Sequence, residues 1–95
     1  MPLIKGKLMI TRKITYNGNF NQDAISSIFD IARKIEITGE VKAINDKQVE
    51  LNLEGDPSMI KLIQHQIENK LKTAVTDKKV ESIPFKNYRG ITLLN

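Results

Sequence analysis

The stretch Ile37-Thr38-Gly39-Glu40-Val41-Lys42-Ala43-Ile44-Asn45-Asp46-Lys47-Gln48-Val49-Glu50-Leu51-Asn52-Leu53-Glu54 decides the fold. Ile37, Gly39, Val41 and Ala43 alternate with Thr38, Glu40 and Lys42, and Val49, Leu51 and Leu53 alternate with Glu50, Asn52 and Glu54. A period of two marks strands with one buried face. Asn45-Asp46-Lys47-Gln48 is a turn by composition, so the two runs make a β-hairpin.

Upstream of the hairpin, apolar residues recur at helical spacing: Ile25, Ile28, Phe29, Ala32 and Ile35 form one stripe of a helix from about Gln22 to Ile35. Asn21 is its expected N-cap; Asp23 suits the positive end of the helix dipole, and Arg33 and Lys34 the negative end. Residues 7–16 alternate again, with Leu8, Ile10, Arg12, Ile14 and Tyr16 on one register. Arg12 interrupts that apolar register, which points to a position near the sheet edge. Asn17-Gly18-Asn19 ends the strand in a turn.

Downstream, Gly55-Asp56-Pro57 closes the hairpin and opens a second helix, Asp56 to Ala74, with a stripe of Ile60, Ile63, Ile67, Leu71 and Ala74. Val80 to Phe85 and Gly90 to Leu94 read as the last strands. Pro84 marks an edge, bulge or strand break. The order strand, helix, strand, strand, helix, strand, plus a short extra C-terminal strand, is a ferredoxin-like βαββαβ sandwich of class α+β. It places both helices on one face of an antiparallel sheet. The expected core includes Ile25, Ile28, Phe29, Ile60, Ile63 and Ile67.

Ninety-five residues with 40% hydrophobic content suit a single domain spanning 1–95. Fifteen basic and 11 acidic residues give +4, with basic pairs scattered rather than clustered, so the charge argues against nucleic acid. The strand Val49 to Gly55 carries none of the aromatics on which RNA-binding domains of this fold stack bases. No apolar run approaches the ~20 residues that span a bilayer. Without cysteine there is no disulfide or thiolate chemistry. The stretch Met1-Pro2-Leu3-Ile4-Lys5-Gly6-Lys7 lacks the apolar core of a signal peptide, so a cytoplasmic protein is expected.

Specific residues narrow the fold to a family. Ala32-Arg33-Lys34 followed by Thr38-Gly39-Glu40-Val41 resembles the helix-to-strand passage of acylphosphatases. Val49-Glu50-Leu51-Asn52-Leu53-Glu54-Gly55 resembles the family's third strand, and Tyr88-Arg89-Gly90-Ile91-Thr92-Leu93 its ending. The resemblance runs in order over about residues 7 to 94. It implies an enzyme that cleaves carboxyl-phosphate bonds with an arginine opening the first helix and an asparagine after the Thr-Gly-x-Val strand. In that family a Gly-x-Val-Gln-Gly-Val-Gly-Phe-Arg loop cradles the phosphate at a helix N-terminus.

This chain departs from the pattern at both positions. Counted without gaps, the arginine position holds Ile25; with an insertion it holds Asn21. The asparagine position holds Ala43, and Asn45 lies two residues on, near the turn. Removing one charge-stabilising donor from such a site typically costs about 2.7–4 kcal/mol of barrier. No catalytic residue is therefore expected, and the chain reads as a non-catalytic acylphosphatase-like binding or interaction module. The alternative is an acylphosphatase with a rearranged site.

Asn17, Asn19, Asn21, Gln22 and Asp23 crowd the start of the first helix and form a candidate ligand loop for a small polar ligand, unless they serve only as turn and cap residues. No cofactor is implied, and the partner, protein or small molecule, is left open. No metal spacing occurs, and Asp56, His65 and Glu68 are too separated around the second helix to converge. His65, the single histidine, points away from the apolar stripe. Ser26 and Ser27 have no base nearby in sequence. A small-molecule sensor of the ACT type shares the fold and would need a dimer.

Overall fold

The computed structural model describes residues 3–4 and 7–94, with side chains from residue 8 onward; most of the Met1–Lys7 stretch read above thus lies outside the described residues. Two short strands, β1 (Leu3–Ile4) and β2 (Lys7–Leu8), pair with each other. Then follow β3 (Ile10–Gly18), α1 (Gln22–Lys34), β4 (Thr38–Asn45), β5 (Gln48–Gly55), α2 (Pro57–Lys70), β6 (Val75–Ile83) and β7 (Ile91–Leu94).

The main sheet has the order β6-β3-β5-β4-β7. All neighbours are antiparallel except β7, which runs parallel to β4, so the sheet is mixed rather than purely antiparallel. The ferredoxin-like βαββαβ arrangement with an appended strand is present. β3 is interior, between β5 and β6, so Arg12 is not on an edge strand as its register suggested.

The local signals are met where they were strongest. Asn21 caps α1, its Oδ1 accepting from the Ala24 N–H at 2.8 Å. Asp56 caps α2, accepting from the Ser58 N–H at 2.9 Å, with Pro57 in the first turn. The hairpin turn is tighter than composition implied, with only Asp46 and Lys47 outside the strands and Asn45 Oδ1 accepting from the Lys47 N–H at 2.8 Å. Gly39 sits at φ 147°, where a Cβ would lie 1.9 Å from the Asn52 carbonyl oxygen, so the strand needs glycine there.

Ile25, Ile28, Ile60, Ile63 and Ile67 join Ile14, Tyr16, Val41, Val49, Leu51 and Leu53 in one buried cluster. Phe29 departs from expectation: it is only half-buried at the rim, with the Arg33 guanidinium 5.6 Å from its ring centre. α2 ends at Lys70 rather than Ala74. Leu71 takes a non-helical conformation, and its N–H closes the last turn on the Ile67 carbonyl. β6 starts at Val75, five residues before the expected Val80, and stops at Ile83 immediately before Pro84. As an edge strand it is solvated along most of its length, which erased the alternation that would have announced it.

The helix-free face differs most from the alternating pattern. Glu54 and Asn52, on the polar register of β5, are 1% and 5% exposed. Residues 84–90 supply the cover. The Glu54 carboxylate accepts from the Thr11 hydroxyl, the Lys86 N–H at 2.6 Å and the Tyr88 N–H at 2.8 Å. Asn87 sits at φ 59°, a left-handed conformation that asparagine tolerates, which turns the surrounding amides toward one point. Burial by itself would raise the Glu54 pKa, but hydrogen bonds from Thr11, Lys86, Tyr88 and Asn87 outweigh it and hold the carboxyl below its usual value. The Tyr88 hydroxyl donates to Glu40 at 3.2 Å; burial and then the Glu40 charge push its pKa up to about 12.

Candidate functional site

The β3–α1 loop, Asn19 to Asn21, stands where a phosphate cradle would form if the resemblance extended to the site. Its backbone is closed by neighbouring turns. The Gly18 N–H donates to the Lys47 carbonyl at 2.9 Å, Asn19 N–H to the Ala74 carbonyl at 2.9 Å, and Phe20 N–H to the Asp46 carbonyl at 2.8 Å. Gly18 permits this closure, since a Cβ there would meet the Ala74 carbonyl oxygen at 1.8 Å. Phe20 is 2% exposed, so its ring fastens the loop to the core. Three successive amides thus aim at carbonyl oxygens of the β4–β5 turn and the α2–β6 connection. An anion entering here would have to displace those oxygens.

Side chains of the loop are engaged in a similar way. Asn17 Oδ1 accepts from Gln48 Nε2 at 3.3 Å, and Asn21 Oδ1 is the helix cap. Asn19 Oδ1 accepts from Lys47 Nζ at 2.6 Å. Gln22 and Asp23 are exposed on the first turn of α1. The five candidate loop residues are therefore neighbours, but three of their four amide side chains already serve turns and caps.

Ile25 is 6% exposed and belongs to the core cluster, so the arginine position of the ungapped reading is an apolar packing site. Ala43 packs against the same cluster and carries no side-chain hydrogen-bonding group. Asn45 does not replace it. The pairing of β4 with β5 shifts register between Ala43 and Asn45, and Asn45 turns its amide oxygen to the Lys47 N–H. His65 is exposed, and among the described residues no three of His, Cys, Asp and Glu group to hold a metal.

One residue went unnoticed in the sequence. Lys47, in the hairpin turn, brings a cation to the loop through Asn19. No spacing signals it, because the turn meets the loop through long-range bonds, Gly18 to Lys47 and Phe20 to Asp46.

Several known structures share the architecture. An acylphosphatase from Coxiella burnetii aligns with a TM-score of 0.78 at 21% identity, covering 90% of this chain and 92% of that one. An acylphosphatase from Bacillus subtilis aligns at 0.79 and 19% identity, covering 93% and 100%. BlrP1 of Klebsiella pneumoniae, in a calcium and cyclic-diGMP complex, aligns at 0.65 and 15% identity over 93% of this chain but 24% of its own. At such identities the likeness establishes the fold alone. No curated protein sequence matches the chain. The acylphosphatase family model matches residues 26–91, starting just after Ile25 and so leaving out the loop and the arginine position. With more than two thirds of its length matched and the fold in agreement, this chain belongs to the acylphosphatase family.

Proposed function

We propose that this chain is a non-catalytic acylphosphatase-like domain that works as a small binding or interaction module, its partner a protein or a small polar ligand. The observation that carries the reading is the closed loop, whose Gly18, Asn19 and Phe20 amides donate to protein carbonyls. Ile25 in the core and Ala43 without a polar side chain point the same way. The cytoplasmic location belongs to this proposal and rests on the sequence.

Phosphate titration followed by backbone amide shifts tests the loop. Residues 18–23 should stay silent up to millimolar phosphate. Saturable shifts there would mean that the loop opens for an anion, and the reading would fail.

Lys47 favours a second reading, an acylphosphatase with a rearranged site in which the cation arrives from the hairpin turn. In that case a Lys47→Ala variant would lose both acyl-phosphate turnover and any phosphate-induced shifts of the loop.

A further inference from the structure

Away from the loop, the uncovered part of the sheet beside α2 forms a groove of about 500 Å³. Its floor follows from the register. On the helix-facing side of β6, Lys78 lies opposite Tyr16, Val80 opposite Ile14 and Ser82 opposite Arg12. Val80 is 43% exposed, so no helix covers this strip. The wall is a stripe along α2, Ser58, Lys61, His65 and Glu68, spaced by three or four residues and so on one helix face.

The two ends of the groove differ in how their charges are partnered. Toward the N-terminal end of α2, Arg12 and Lys61 line it together with Ser58. Arg12 is half-buried on the apolar register of β3, and its partner among the described residues is an amide oxygen, Gln64 Oε1 at 3.5 Å. At the other end Glu68 accepts from the Tyr16 hydroxyl at 2.9 Å and Lys78 Nζ at 2.8 Å. Burial alone would raise the Glu68 pKa, yet the bonds from Lys78 and Tyr16 keep it below normal, so the carboxylate stays ionised and paired with Lys78.

We propose that this groove binds a phosphate monoester of a hydroxyl-bearing small molecule, of the size of a nucleoside monophosphate. Its phosphate would lie between Arg12 and Lys61, because a guanidinium fork whose one side-chain bond among the described residues is a long one to an amide can offer donors to a bidentate oxyanion. The ligand's body would cross Val80, and its hydroxyls would donate to Glu68. The volume falls within the roughly 300–1,000 Å³ of small-molecule sites. Arg12 lies six residues before Gly18, about 20 Å along an extended strand, so this site is separate from the loop.

Titrating the labelled protein with inorganic phosphate, AMP and adenosine tests the proposal. Phosphate and AMP should shift the amides of Arg12, Ser58, Lys61 and Gln64, AMP should extend the shifts to Glu68 and Lys78, and adenosine should do neither. Arg12→Gln should weaken AMP at least tenfold, Lys61→Gln several-fold, and Lys34→Gln, exposed at the end of α1, should leave it unchanged. If Arg12→Gln does not fold, Lys61→Gln, on an exposed helix position, decides. No response to AMP, shifts confined to residues 18–25, or AMP affinity within twofold of wild type in the deciding folded variant would overturn the site. Loss of the response at Arg12, Ser58, Lys61 and Gln64 with a silent loop would overturn this site alone, whereas shifts at residues 18–23 would overturn the first proposal.

Discussion

An Ile28→Ala variant should lose about 2–5 kcal/mol of stability, read as a fall in the urea midpoint at unchanged slope. Ile28 is fully buried, at the centre of the α1 stripe facing the sheet, and its truncation leaves a cavity that its neighbours fill only in part. Against a total stability of about 5–15 kcal/mol this is a large fraction. Phe29→Ala, one residue on, should cost only about 1–2 kcal/mol, since the ring is half-buried and packs partly under Arg33. A Phe29 variant less stable than the Ile28 variant would show that α1 is rotated from the orientation described.

Glu54→Ala should be comparably severe, at about 3–5 kcal/mol. It removes the one acceptor shared by Thr11, Lys86 and Tyr88, leaving a buried hydroxyl and two backbone N–H groups without a partner. The effect is linked to pH. Because the folded-state pKa of Glu54 is depressed below its 4.5 reference, its stabilisation is present above that value and is lost as pH falls through the folded pKa. Glu68 is depressed as well and acts in the same direction. The wild-type midpoint should therefore drop steadily below about pH 4.5, and the Glu54→Ala midpoint should drop less. Parallel curves for the two proteins would remove Glu54 from the acid response.

These two side chains also mark what could be read in the sequence. The Ile28 stripe and the hairpin were legible because each buries one continuous face against a regular neighbour, and a regular face leaves a period. Phe29 was misjudged because periodicity gives the direction of a face but not the width of sheet that covers it. Glu54 sat on a polar register, and its cover, residues 84–90, is an irregular segment with no period to reveal it. β6 was clipped for a related reason. Thr76 to Lys79 are exposed, and only pairing with β3 makes them a strand.

At the candidate site, alignment to the motif puts Ile25 or, with an insertion, Asn21 at the arginine position and Ala43 at the asparagine position, but it says nothing of their surroundings. The closure of the loop by Lys47, Ala74 and Asp46 carbonyls depends on two distant turns meeting it, which no local pattern encodes. Arg12 is the opposite case. Its misfit on an apolar register was visible from the start, and the structure relates it to the groove rather than to the sheet edge.

Hydrolysis of an acyl phosphate such as benzoyl phosphate tests the central claim most directly. On the non-catalytic reading proposed above, the rate at neutral pH should equal spontaneous hydrolysis at every protein concentration. A rate rising in proportion to protein, and abolished by Lys47→Ala, would contradict the account and establish an acylphosphatase with a rearranged site.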